Sequence, residues 1–121
     1  MNARPLTISE RRMLRASVGE ELGRLDEQIG SLTRSFDDIV AAAELTSTDD
    51  EHDPEGSTIA FERAQVSALL RQARSDREDL RITLERIGDS GFGTCELCGG
   101  FIGAERLLAL PSASRCVVCA R

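Results

Sequence analysis

Apolar side chains between Leu14 and Ala43 fall at Val18, Leu22, Leu25, Ile29, Leu32, Phe36, Ile39 and Ala43, with gaps alternating between four and three residues. That alternation is the heptad seam of a helix that packs against a partner helix, with the intervening positions left to water. A second seam with the same alternation runs through Val66, Leu70, Ala73, Arg77, Leu80, Leu84 and Ile87. The pattern predicts two long helices. Thr7-x-x-Glu10 offers a capping box at the start of the first, and Gly88 stands where a C-cap glycine belongs at the end of the second. Gly19, Gly23 and Gly30 each cost about 1 kcal/mol against alanine in a helix interior. The first helix therefore depends on its partner more than on intrinsic propensity.

An antiparallel pair can be aligned in two ways. One register sets Leu25 on Arg77 and Ile39 on Arg63. The other pairs Leu22 with Ile87, Leu25 with Leu84, Ile29 with Leu80, Phe36 with Ala73, Ile39 with Leu70 and Ala43 with Val66. Large meets large and Phe meets Ala in the second, which is therefore preferred, with Arg77 left opposite Leu32. This register centres the turn on Asp53-Pro54-Glu55-Gly56, where Asp53 can cap the returning helix and Pro54 takes its first position, which needs no amide hydrogen. Each arm is then about 30 residues, on the order of 45 Å. A long arginine stem can lie across apolar neighbours with its head in water, which accounts for Arg77 in the seam.

Composition narrows the picture. The 121 residues include no Trp or Tyr, four Phe and no lysine, and 30% are charged. A thick layered core is excluded, and a long solvated helical surface is favoured. The net charge of −6 is concentrated between Glu44 and Glu55, which holds Glu44, Asp49, Asp50, Glu51, Asp53 and Glu55 without a base. An acidic balance argues against broad phosphate-backbone binding, so no direct sequence-specific DNA binding is expected. A partner of the acidic turn should be basic or carry a metal ion. His52, the single histidine, reads as a solvated loop residue.

The sharpest chemistry lies at the C-terminal end. Cys95-x-x-Cys98 and Cys116-x-x-Cys119 are separated by seventeen residues, a spacing that lets four thiolates close a tetrahedral shell around one zinc ion. No coordination position is then left for substrate water, so the metal is structural. The segment from Gly91 to Arg121 buries too little apolar surface to fold unaided, and the metal supplies most of its stability. Gly99-Gly100 suits a zinc knuckle, in which backbone amides turn toward sulfur and glycine tolerates positive φ. Phe92, Phe101, Ile102, Leu107 and Leu110 are expected to pack the finger against the helices. Two disulfides, a bound iron and a thioredoxin-like redox pair are the competing uses of these cysteines. The N-terminus lacks an apolar signal core, no run approaches membrane-spanning length, and no βαβ pattern surrounds either pair, which together favour a reduced, cytoplasmic zinc protein. No nucleophile–base pair, phosphate-cradling glycine loop or open metal position points to an enzyme.

Gly91-Phe92-Gly93-Thr94-Cys95-Glu96-Leu97-Cys98-Gly99, continuing through Ile102-Gly103-Ala104-Glu105-Arg106-Leu107 and Pro111 to the second cysteine pair, closely resembles the zinc-finger signature of the TraR/DksA family. The preceding hairpin with its acidic turn is similar in pattern. The resemblance implies a mainly α protein: residues 1–90 form an antiparallel coiled-coil hairpin with an acidic tip near 49–56, and residues 91–121 form a zinc finger. It implies a monomer that binds RNA polymerase and inserts the tip through the secondary channel to alter initiation, often with ppGpp. Asp50-x-x-Asp53 matches the family's paired tip aspartates, and Glu55 stands where the family has alanine; Asp50, Asp53 and Glu55 are the expected partner-binding residues. Members that respond to ppGpp carry basic residues where this chain has Leu110, Ala120 and Asp79, so the resemblance leaves ppGpp co-regulation open. A nucleic-acid-binding zinc ribbon and a redox-sensing zinc protein are the alternative functions. Arg4, Arg11, Arg12 and Arg15 either contact a partner or solvate the first helix.

Overall fold

A computed structural model describes residues 3–45 and 54–121, with side chains on the returning helix described from residue 57 onward. Among these residues three helices follow in order: α1, Ile8–Leu45; α2, Pro54–Arg86; and α3, Ala104–Ala109. Among the described residues the only strand-like pairing is an isolated antiparallel bridge between Thr94 and Phe101. The chain divides into two compact units, Met1–Gly23 with Arg77–Arg121, and Arg24–Asp76.

In the second unit, Leu25 and Ile29 of α1 and Leu70 and Ala73 of α2 are buried. Phe36, Ile39, Ala43 and Val66 are half-buried at their expected seam positions. Two helices alone can cover only one stripe of each other, so the flanks of the seam stay wet. Phe61, outside the seam, is exposed.

The first unit has the denser core. Leu14 and Val18 of α1, Leu80 of α2, and Ile87 are buried together with Cys95, Ile102 and Leu107 of the C-terminal segment. Thr83 is buried as well, which a purely apolar seam does not anticipate. Its hydroxyl donates to the Asp79 carbonyl at 2.8 Å, and this back-bond to its own helix satisfies the polar group that burial would otherwise strand.

The capping box forms as expected. The Thr7 amide donates to Glu10 Oε1 at 2.9 Å, and the Glu10 amide donates to Thr7 Oγ1 at 3.0 Å, so two amides without helical partners are satisfied reciprocally. α2 begins at Pro54, in keeping with a proline at the first helical position; the expected cap, Asp53, lies outside the described residues.

Two expectations need correction. Gly88 is not a left-handed C-cap, since the positive-φ residues among those described are Gly93, Gly99 and Gly103. The end of α2 is closed instead by a tight turn, Asp89 N to Arg86 O at 2.9 Å, and by the Arg11 guanidinium, which donates to the carbonyls of Ile87 and Asp89. The preferred register also fails in this unit. It would set Leu22 on Ile87, yet Arg11 reaches the Ile87 carbonyl, and Arg15 Nη2 lies 3.7 Å from where a Cβ on Gly88 would sit. The end of α2 therefore meets α1 about two turns nearer its start, close to the alternative register. Matching side-chain sizes along the seam ignored Leu14 and Val18. Both are fully buried, and the preferred register would have left them beyond the end of α2.

Candidate metal centre

A pair of tight turns carries the four cysteines. After α2, the Phe92 amide donates to Asp89 O at 3.1 Å and the chain enters a short hairpin, held by Ile102 N to Gly93 O at 2.8 Å and Cys95 N to Gly100 O at 2.7 Å. Within it the Gly99 amide donates back to Cys95 O at 3.0 Å. Gly99 has φ 74°, a value that glycine adopts without a Cβ penalty. The turn aims the Gly100 amide at Cys98 Sγ, 3.4 Å away. The second turn repeats the pattern, with Ala120 N bonded to Cys116 O at 3.0 Å.

Three contacts pin the turns to each other. The Glu96 amide donates to Ser114 O at 2.9 Å, Arg115 Nε donates to Glu96 Oε1 at 2.8 Å, and Arg106 Nε donates to Arg115 O at 2.9 Å. The Arg115 hydrogen bond holds the Glu96 carboxyl below its ordinary pKa. Nothing in the sequence marks this cross-link, because its members lie 19 residues apart.

The four sulfurs lie within 4.8 Å of one another, and those of Cys98 and Cys116 are 3.8 Å apart. A tetrahedral ion with Zn–S bonds of ~2.3 Å places its sulfurs about 3.8 Å from each other. No pair is joined as a disulfide. Amides of Cys98 and Cys116 aimed at Cys95 draw its thiol down to about 6, and amides of Cys119 and Val118 lower Cys116. Cys119, surrounded by the sulfurs of Cys116, Cys95 and Cys98, is pushed up to about 12. Charge accumulating on four clustered sulfurs is the electrostatic demand that a divalent cation meets. The donor set, spacing and closed shell fit one structural zinc held by Cys95, Cys98, Cys116 and Cys119.

Around the site the expected packing holds in part. Ile102 and Leu107 are buried and Phe92 is half-buried, but Phe101 and Leu110 are exposed and do not join the core. A module this small has one inner face, and Ile102 and Leu107 fill it. Phe92 lies with its ring 6.0 Å from the Arg11 guanidinium. Two of the N-terminal arginines thus have structural tasks: Arg11 at the end of α2, and Arg4, which bonds both carboxylate oxygens of Glu10 at 2.7 and 2.9 Å. Asp50 and Asp53, like His52, lie outside the described residues, as does the side chain of Glu55. Asp79, Leu110 and Ala120 are exposed.

This arrangement defines a class: a four-cysteine structural zinc finger that follows a two-helix hairpin. Residues 90–121 match the model of the prokaryotic dksA/traR C4-type zinc finger. The RNA polymerase-binding transcription factors DksA of Escherichia coli and Salmonella typhimurium are each 36% identical over 63 residues, 50% of this chain and 42% of theirs. The protein of the same name from Haemophilus influenzae is 32% identical over 69 residues, 54% of this chain and 48% of its own. Each match spans less than half of the relative's length. The transcription factor DksA2 from Pseudomonas aeruginosa shares the fold, with a TM-score of 0.78 over 93% of this chain and 81% of that one at 19% identity. The family likeness thus rests on the finger at residues 90–121, and the chain spans less than half the length of these curated relatives. No helix among the described residues is long and apolar enough to cross a membrane.

Proposed function

We propose that this protein binds RNA polymerase in the cytoplasm and regulates transcription initiation, acting as a monomer whose acidic turn enters the polymerase secondary channel. The observation that carries this reading is the coincidence of a closed dksA/traR-type finger with 36% identity to relatives named as RNA polymerase-binding transcription factors. The finger's role is structural: it ties the C-terminal segment into the unit that also contains the start of α1 and the end of α2. Binding energy then resides on the helices and finger, while Asp50 and Asp53, matching the family's tip pair, bias a conformational equilibrium of the polymerase. Exposed ion pairs contribute only ~0–1 kcal/mol each, too little to supply the affinity but enough to shift a finely balanced complex.

The test is a binding assay with purified bacterial RNA polymerase, paired with in vitro transcription in the presence and absence of ppGpp. Zinc-loaded wild type is expected to bind and alter initiation. Asp53→Asn is expected to bind with similar affinity and lose the transcriptional effect. Equal potency of Asp53→Asn, or salt-sensitive binding to DNA without polymerase, would count against this reading and favour a nucleic-acid-binding ribbon. Exposed, basic-poor positions at Asp79, Leu110 and Ala120 lead us to expect the same effect with and without ppGpp.

A further inference from the structure

We propose that residues 3–7 form a strap that sets how fast the finger exchanges its zinc. The knuckle bearing Cys95 and Cys98 is the hairpin from Gly93 to Gly103, and the strap touches both of its ends. At one end, Leu6 Cδ1 and Cγ lie 3.3 and 3.6 Å from the position a Cβ on Gly93 would occupy, with Leu107 Cδ1 at 3.7 Å on the same spot. At the other end, the Ala3 methyl lies 3.2 Å from the corresponding position on Gly103. Both glycines have positive φ, 89° and 95°. At each the backbone is bare and in a conformation a larger residue resists, so the strap seats directly on main chain.

The strap is itself anchored. Arg4 forks onto the Glu10 carboxylate, Thr7 completes the capping box, and Ala3, Arg4 and Glu10 line one open groove together with Gly103, Ala104 and Glu105. Releasing zinc requires the knuckle hairpin to open locally, which parts Gly93 from Gly103. A segment that grips both ends opposes that opening, and by linkage the metal-loaded finger orders the segment. This goes beyond polymerase binding and does not depend on it.

The experiment follows zinc transfer from the fully loaded chain to excess 4-(2-pyridylazo)resorcinol, read by absorbance, with helical content followed by circular dichroism. Leu6→Asp is expected to release zinc about tenfold faster than wild type, a change in line with loss of one partly buried leucine contact. Leu6→Ala, which leaves the cap untouched, is expected to give roughly threefold. Leu25→Ala, a buried position in the other unit, is expected to leave the rate unchanged although it lowers stability. Wild-type rates in both Leu6 variants, with helicity retained, would overturn the proposal. So would equal acceleration by Leu25→Ala, which would assign release to global unfolding. If Leu6→Asp loses helicity, the Leu6→Ala rate decides.

Discussion

Removing the metal should unfold the finger and leave the long helices standing. Cys95→Ser is the cleanest perturbation, because Cys95 is the buried ligand, 2% exposed, and its sulfur receives the amides that organise the first turn. Between Gly91 and Arg121 the other buried apolar side chains are Ile102 and Leu107. Burial of such side chains stabilises by about 1.5–3 kcal/mol each, whereas a structural zinc contributes ~10–16 kcal/mol in isolated finger peptides. The metal is therefore the larger effect, and two side chains cannot hold the module without it. α1 and α2 keep their own ladders of hydrogen bonds over 38 and 33 residues. Hydrogen exchange read by mass spectrometry checks this on wild type, wild type with chelator, and Cys95→Ser. The amides of Cys95, Gly99, Ile102 and Ala120, bonded at 2.7 to 3.0 Å, should lose protection, while peptides within 24–45 and 57–76 retain theirs. Persistent protection of those four amides in protein verified as zinc-free would refute the reasoning.

Further outcomes follow from individual residues. Ile87→Ala removes a fully buried side chain from the core shared with Leu14 and Val18, and should cost about 2–5 kcal/mol in a denaturant titration. Gly19→Ala should stabilise by roughly 0.5–1 kcal/mol, because nothing lies within 4 Å of the added methyl and the site is an exposed helix interior. Gly93→Ala should instead destabilise by about 1–3 kcal/mol, because φ is 89° and Leu6 stands in the way; a thermal melt separates the two signs. Thr7→Ala should cost on the order of 1 kcal/mol through the lost cap. The Glu10 carboxyl is held at about 2, chiefly by its hydrogen bond from Arg4 and then by the Thr7 amide. Its folded value lies below its unfolded one, so its contribution is complete above about 4.3 and is lost as pH falls toward 2. A carbon NMR titration should show that low midpoint; the ordinary glutamate value would mean that the Arg4 contact is absent.

The chain itself determined the two long helices and the ligand set, but not the short α3 inside the finger. Four-three spacing is a consequence of helical geometry, so the seam residues Leu14, Val18, Leu25, Ile29, Leu70, Ala73, Leu80 and Ile87 could be picked out before any packing was known, and all are buried. The cysteines were legible because tetrahedral thiolate coordination tolerates few spacings. Thr7 and Glu10 were legible because a cap is a local bond three residues long. Register was different. Two alignments one heptad apart satisfy the same periodicity, and the choice fell to the burial of Leu14 and Val18 and to Arg11 reaching Ile87 and Asp89, contacts 76 and 78 residues apart. Separation in sequence likewise hid the Arg115–Glu96 cross-link and the seat of Leu6 on Gly93, and the outward placement of Phe101 and Leu110 was equally unmarked. Periodicity reports which face of a segment is apolar, but it carries no information about which distant segment covers that face; only the folded chain, by closing those contacts, makes that choice.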